Sequence, residues 1–265
     1  MAESTDLLVE RTEVRLTLTL NRSAAKNALT KPMIESLLHA LEEATNDDTL
    51  RVVYLRTAAK DFCSGIDLVE SNQSTAKPRT GHMQRRMMLG AHRLLRTLHE
   101  FQLPVVCAVS GWAAGVGNAL ALSADVVVAD TTAKFWVPFV GKGFSPDSSN
   151  SYVLPRLIGT ARAKEMIMRA KPVDAEKALL WGMISEVVEP GALSDAAEAV
   201  VREFESAATI AAGLAKTLIH RNLDTDFTNA LHNEGIYEEL AVRSEDFKEG
   251  IKAFREKRPT AYTGR

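Results

Sequence analysis

PVVCAVSGWAAGVGNALALSADVVVAD, residues 104–130, carries the pattern that decides the fold. Pro104 is followed by VVCAV, an unbroken apolar run that reads as a buried strand. SGWAAGVG gathers Gly111, Gly115 and Gly117 into a turn, and NALALSAD continues as an apolar helix. VVVAD then returns to β-branched residues. Strand, turn, helix and strand in immediate succession point to α/β layers with parallel pairing.

The same alternation extends outward in both directions. Upstream, EVRLTLTL (13–20) places Val14, Leu16, Leu18 and Leu20 on one face, as in a half-buried strand. NRSAAKNALT (21–30) interrupts it. Thr30-Lys31-Pro32 then opens a helix that continues through Met33, Ile34, Leu37, Leu38 and Leu41. RVVYLRT (51–57) is a further strand. QSTAKPRTG (73–81) reads as a polar surface loop that could lie over a site. From Thr80 to Phe101 the period is helical, through Met83, Met87, Leu94, Leu95 and Leu98. Downstream, AKFWVP (133–138) is one more strand. Beyond Gly191 the strand signal vanishes, and LSDAAEAVVREF, ATIAAGLAKTLIHR, FTNALHNEGIYEELAV and EDFKEGIKAFREK all read as helices. The expected division is residues 1–190, an α/β core carrying the site, and 191–265, a helical C-terminal region.

Composition narrows the function classes. The 265 residues are 46% hydrophobic and 25% charged, within the globular range. Lys plus Arg is 32 and Asp plus Glu is 34, a formal charge of −2, without the basic surplus of a dedicated nucleic-acid binder. Cys63 and Cys107 cannot form a disulfide framework and fit a reducing compartment. No apolar run reaches the roughly 18 residues of a membrane span. MAESTDLLVE has neither a basic start nor an apolar core of a signal peptide, so the expectation is a cytoplasmic protein.

Several familiar motifs fail. GVGNAL lacks the third glycine of a dinucleotide fingerprint, and VGKGFSPDSS lacks the order of a phosphate-binding P-loop. HExxH, CxxC and GxSxG do not occur. The six histidines show no metal-ligand spacing, so no metal is expected.

Two other turns carry more. DFCSGIDL (61–68) follows the strand RVVYLRT, and SGWAAGVGNAL (110–120) follows PVVCAV. Each presents backbone N–H groups just past a strand. Two such turns brought together aim two donors at one oxygen, as an enolate or tetrahedral oxyanion requires.

With these turns in place the chain resembles the crotonase superfamily, the enoyl-CoA hydratases and isomerases. The resemblance runs through LNRSAAKNAL, DFCSGIDL, residues 104–130, SPDSSNSYVLPRLIG, MISEVVEP and EGIKAFREKRP, in that order. It implies a spiral of ββα units whose helical C-terminal region builds a homotrimer or a hexamer (a dimer of trimers). It implies an acyl-CoA thioester substrate, with coenzyme A as part of the substrate and no tightly bound cofactor. The thioester carbonyl would lie between the backbone N–H groups of Ile66 and Val116. The family usually has glycine at the latter position, but only the N–H is used. Ala24, Ala25 and Lys26 would meet the adenosine end of coenzyme A, Lys26 as a point charge toward phosphate. Ser64, Asp67 and Leu68 would flank the pantetheine or adenine pocket. Phe254 and Lys257 match positions that cover the adenine from a neighbouring subunit.

The departures from the family pattern are informative. The two positions that carry the hydratase glutamates are Ala119 and Phe139, neither able to move a proton. Asp147, in GFSPDSSNSY, lies where isomerase-type and aryl-CoA members carry an acid. It also reads as an N-cap for the helix that follows. His92, twelve residues before Pro104, matches the histidine of aryl-CoA dehalogenases. Trp136 and Phe139 suit an acyl-pocket lining or the core, and Trp112 suits packing.

The sequence therefore points to an acyl-CoA enzyme of lipid metabolism, with enoyl-CoA double-bond isomerisation by Asp147 as the leading reaction. The alternatives are a hydratase-like lyase, a hydrolase or dehalogenase using Asp147 and His92, and a non-catalytic acyl-CoA-binding protein.

Overall fold

The computed structural model describes residues 5–67 and 79–265; Leu68 and residues 73–78 of the polar stretch lie outside them. In chain order the strands are β1 (Leu7–Arg11), β2 (Arg15–Leu20), β3 (Val52–Thr57), β4 (Val105–Val109), β5 (Trp112–Ala114), β6 (Val126–Asp130), β7 (Lys134–Trp136), β8 (Val173–Asp174) and β9 (Glu186–Val188). The helices are α1 (Lys31–Thr45), α2 (His82–Leu89), α3 (Ala91–Glu100), α4 (Val116–Leu122), α5 (Asn150–Arg169), α6 (Ala175–Leu180), α7 (Leu193–Glu205), α8 (Thr209–Asn222), α9 (Phe227–Ala241) and α10 (Glu245–Glu256).

Two sheets form. The larger runs β1-β2-β3-β4-β6-β9, parallel except for the β1–β2 pair. The smaller runs β5-β7-β8, with β5 and β7 parallel. The chain alternates between them: β4 then β5 then α4, and β6 then β7 then α5. After β3, Cys63 makes a parallel bridge to Ala113 of β5, which starts the same β-β step one turn earlier. This is the spiral of ββα units that the resemblance implies.

The apolar pattern explains the layers. Val53, Leu55, Val105, Cys107, Val109, Val127 and Ala129 face one side of the large sheet and join the main core. Val52, Tyr54, Val106, Ala108 and Val128 alternate with them and face Ala197 and Val201 of α7. The first helix beyond residue 191 thus closes the sheet's second face. This corrects the half-buried reading of β2, whose Thr17 and Thr19 are buried as well as its leucines. Arg15 fastens α7 there, through ion pairs of 2.8 Å to Glu198 and 2.8 Å to Glu205.

Helix α1 begins as its sequence dictates: the Thr30 hydroxyl accepts from the Met33 N–H, and Pro32 sits in the first turn. The helical stretch 80–101 differs from expectation. It divides into α2 and α3 at Gly90, whose φ of −108° and ψ of −110° lie outside the helical region.

Candidate active site

The two glycine turns meet because their strands pair in register. The Cys63 N–H donates to the Trp112 carbonyl at 2.8 Å, and the Ala114 N–H donates to the Cys63 carbonyl at 2.9 Å. Parallel pairing of Cys63 with Ala113 brings the residues three positions on, Ile66 and Val116, out at the same end of the two chains. The contact there is tight. A Cβ on Gly65 would lie 3.1 Å from the Ala114 carbonyl oxygen and 3.9 Å from the Val116 nitrogen. A Cβ on Gly117 would lie 2.2 Å from the Cys63 carbonyl oxygen, so only glycine lets α4 approach.

Ile66 bridges to Leu29 with its N–H left over: Leu29 donates to the Gly65 carbonyl at 2.7 Å, and Asp67 donates to the Leu29 carbonyl at 3.0 Å. The Val116 N–H is the first of α4 and precedes any helical acceptor. Among the described residues neither the Ile66 nor the Val116 N–H has a protein acceptor. Two free donors at one strand end can polarise a carbonyl oxygen.

The stretch 20–29 is held beside this turn by Asn27, a residue the sequence reading passed over. Asn27 is fully buried with φ of 53°. Its side-chain oxygen accepts from the Arg22 N–H at 2.7 Å, and its amide donates to Thr57 Oγ1 at 2.7 Å and to the Asp61 carbonyl at 2.9 Å. Ala24, Ala25 and Lys26 are thereby set next to Ser64, whose N–H donates to the Lys26 carbonyl at 3.0 Å and whose hydroxyl donates to the Ala25 carbonyl at 3.3 Å. Lys26 is exposed, with Asp61 at 3.9 Å. The Asp67 carboxylate is engaged by Arg22 at 2.8 Å.

Asp147 is not the N-cap. The helix starts at Asn150 with Ser149 in the cap position, and Asp147 Oδ1 accepts instead from the Ser148 hydroxyl at 2.6 Å. Ser148 and Ser149 have φ of 53° and 61°, a double left-handed turn that takes the carboxylate out of reach of the first-turn N–H groups. The turn is stapled to the second glycine turn by Asn150. Its Nδ2 donates to the Asp147 carbonyl at 3.0 Å and to the Gly115 carbonyl at 3.2 Å. Asn118 of α4 donates to Asn150 Oδ1 at 2.7 Å. Both asparagines are buried.

Ala119 is buried, and the Phe139 ring lies 3.4 Å from where a Gly115 Cβ would be. Trp136 donates its Nε1–H to the Ala170 carbonyl at 2.7 Å, while Trp112 packs at 5.5 Å from it with Lys134 over its ring. His92 is half-buried on α3, and its Nε2 is buried without a hydrogen-bond partner among the described residues. Burial pushes the Cys63 thiol up to about 12, which excludes it as a nucleophile. Phe254 and Lys257, on α10 and its C-cap, are exposed, and no hydrogen bond or ion pair among the described residues joins them to residues 24–26 or 64–67. No group of three His, Cys, Asp or Glu among the described residues is placed to hold a metal.

The family model described as enoyl-CoA hydratase/isomerase matches residues 11–265. The chain is 36% identical to the 1,2-epoxyphenylacetyl-CoA isomerase of Escherichia coli, over 94% of this chain and 95% of that one. It is 30% identical to the short-chain-enoyl-CoA hydratase of Clostridium acetobutylicum, over 97% of each. The crystal structure of an enoyl-CoA hydratase from Bacillus anthracis superposes with a TM-score of 0.92 at 28% identity, covering 98% of this chain and 100% of that one.

Proposed function

The chain belongs to the enoyl-CoA hydratase/isomerase family of the crotonase superfamily, and from that premise we propose that it shifts a double bond in an enoyl-CoA thioester. The substrate that the family implies is an acyl-CoA thioester. In our reading the carbonyl oxygen of that thioester accepts from the Ile66 and Val116 N–H groups. The Asp147 carboxylate removes a proton from C2 of a 3-enoyl thioester, and the negative charge moves onto the carbonyl oxygen as a dienolate. The protonated Asp147 returns the proton to C4, which gives the 2-enoyl thioester. One acid that takes and returns a proton suffices for this sequence.

The observation that carries the reading is the Asn150 amide, which binds the Asp147 carbonyl and the Gly115 carbonyl at once. It ties the only acid of residues 143–152 to the peptide that presents the Val116 N–H. Ala119 and Phe139 supply no carboxylate, which argues against the two-glutamate addition of water. Residues 24–26 and Ser64 suit the coenzyme A portion, which comes with the substrate, so the reaction as written uses no tightly bound cofactor. A cytoplasmic location is part of the same reading, supported by two buried, unpaired cysteines. So is a trimer or hexamer in which Phe254 and Lys257 reach a neighbour's adenine.

The test is isomerisation of 3-hexenoyl-CoA, followed by the absorbance of the conjugated product. Asp147→Asn should lower kcat by about 100-fold or more while leaving affinity for coenzyme A nearly unchanged. A fully active variant overturns the assignment. Crotonyl-CoA should gain water slowly or not at all. A second reading, hydrolysis or dehalogenation of an aryl-CoA that uses both His92 and Asp147, is favoured by the buried Nε2 of His92, unpartnered among the described residues. Unchanged isomerase turnover in His92→Ala, with no release of halide or free acid by the wild type, removes it.

A further inference from the structure

We propose that Asn150 is a positioning residue that, together with the first turn of α4, sets the direction of the Val116 N–H and keeps Asp147 in register with it. The argument starts from the peptide bond. The Gly115 carbonyl and the Val116 N–H belong to one planar unit, so whatever holds that oxygen also aims that hydrogen. Gly115 has φ of 57° and ψ of −115°, a non-helical entry into α4, and from the helix its carbonyl accepts the Ala119 N–H at 3.2 Å. Asn150 Nδ2 is a second donor on that oxygen, also at 3.2 Å, and the one that comes from outside the helix. A donor on the carbonyl also strengthens the N–H of the same peptide as a donor.

The orientation of the Asn150 amide is not arbitrary. Its nitrogen faces the carbonyls of Gly115, Asp147 and Ser148, which only accept. Its oxygen faces the Asn118 amide, which donates at 2.7 Å. The three carbonyls thus turn the Asn150 amide the right way round, and Asn118 supplies the donor that its oxygen then needs. Because the same nitrogen binds the Asp147 carbonyl, the acid and the donor move together. The Asn150 backbone N–H adds a bond to the Asp147 carbonyl at 3.2 Å.

The proposal builds on the assignment of Ile66 and Val116 as carbonyl donors, and its test separates the two. Cinnamoyl-CoA is the probe: its conjugated carbonyl absorbs at longer wavelength when the oxygen is hydrogen-bonded. Wild type and Asp147→Asn should both shift the bound probe to the red by the same amount. Asn150→Ala should lose half or more of that shift and lower kcat for 3-hexenoyl-CoA by about 10- to 100-fold, with KM changed far less. Asn118→Ala, which removes the donor on the Asn150 oxygen and loosens the amide, should lose less of both; it serves where Asn150→Ala does not fold. A full red shift in a folded Asn150→Ala or Asn118→Ala protein overturns the positioning role. No red shift in the wild type overturns the Ile66–Val116 assignment itself, and a red shift without isomerisation overturns only the reaction assigned to Asp147.

Discussion

Gly117 has the least latitude of any residue at the site. A helical glycine ordinarily costs about 0.5–1 kcal/mol relative to alanine. Here the usual gain from alanine is reversed, because its Cβ would fall 2.2 Å from the Cys63 carbonyl oxygen and 2.8 Å from Cys63 Cβ. Neither neighbour can give way, since the Cys63 carbonyl already accepts the Ala114 N–H. Gly117→Ala should therefore lower stability by about 1–3 kcal/mol in urea unfolding and reduce turnover by pushing Val116 away from Ile66. Stability equal to wild type would contradict this packing. Val116 is a gentler departure, because its buried side chain points into the core while the N–H stays at the strand end. The glycines were legible in the sequence as turn residues. What they accommodate was not, because Cys63 and Gly117 meet only through a single parallel bridge. Asn27, Asn118 and Asn150 were illegible for a similar reason. A buried asparagine looks like any loop asparagine until its partners, up to 35 positions away in the chain, are known.

Among the elements, β2, β3, β4, β6 and the amphipathic helices were readable, and so was the short β7 within AKFWVP, whereas β1 and the other short strands were not. β5, β8 and β9 have two or three residues each, too few for a period to show. The helix break at Gly90 was hidden because apolar residues continue at helical spacing on both sides. That break matters for α3, whose His99 ring stacks on His220 of α8 at 3.9 Å, nearly parallel. Both imidazoles are held below the usual histidine range. For His99 the causes are burial and then the nearby Lys216. For His220 they are burial, then His99, then Lys216. Glu100, Asp125 and Arg156 also face the pair: the two acids favour the protonated form of His99 and the arginine opposes it. Tyr152 meets the His99 ring edge-on. Lys216 is itself fastened to Asp125 at 2.8 Å. The sign of the pH effect follows from the depressed values. Above about pH 6.5 the folded and unfolded chains both keep these histidines neutral. Below it the unfolded chain binds protons that the folded chain refuses, so stability falls as pH falls. The urea midpoint should drop between about pH 7.5 and pH 5.5, and a His99→Gln/His220→Gln double variant should flatten that drop. An equal slope in both proteins would place the pH dependence elsewhere.

At the scale of the whole molecule, the C-terminal helices do two different things. α7 completes the central sheet, whereas α9 buries none of its residues within the chain. Phe227 is 78% exposed, and Leu231, Ile236 and Leu240 are exposed along the same helix. Ile219 and Leu223 of the neighbouring α8 are exposed too. So many exposed apolar side chains on two neighbouring helices are unusual for a chain that works alone. The net charge of −2 supplies little repulsion to keep copies apart. If these helices form the subunit contacts, light scattering should give three or six times the mass of one chain. Phe227→Lys/Leu231→Lys should then release single chains that stay folded, because neither side chain supports the chain's own core. The consequence for activity depends on Phe254, 82% exposed, and Lys257. Should they close a neighbour's coenzyme A pocket, released chains will show a raised KM for 3-hexenoyl-CoA with a smaller change in kcat, because Ile66, Val116 and Asp147 all lie within one chain. A wild type that is monomeric by light scattering, or a dissociated variant with unchanged KM, would remove the neighbouring subunit from the site.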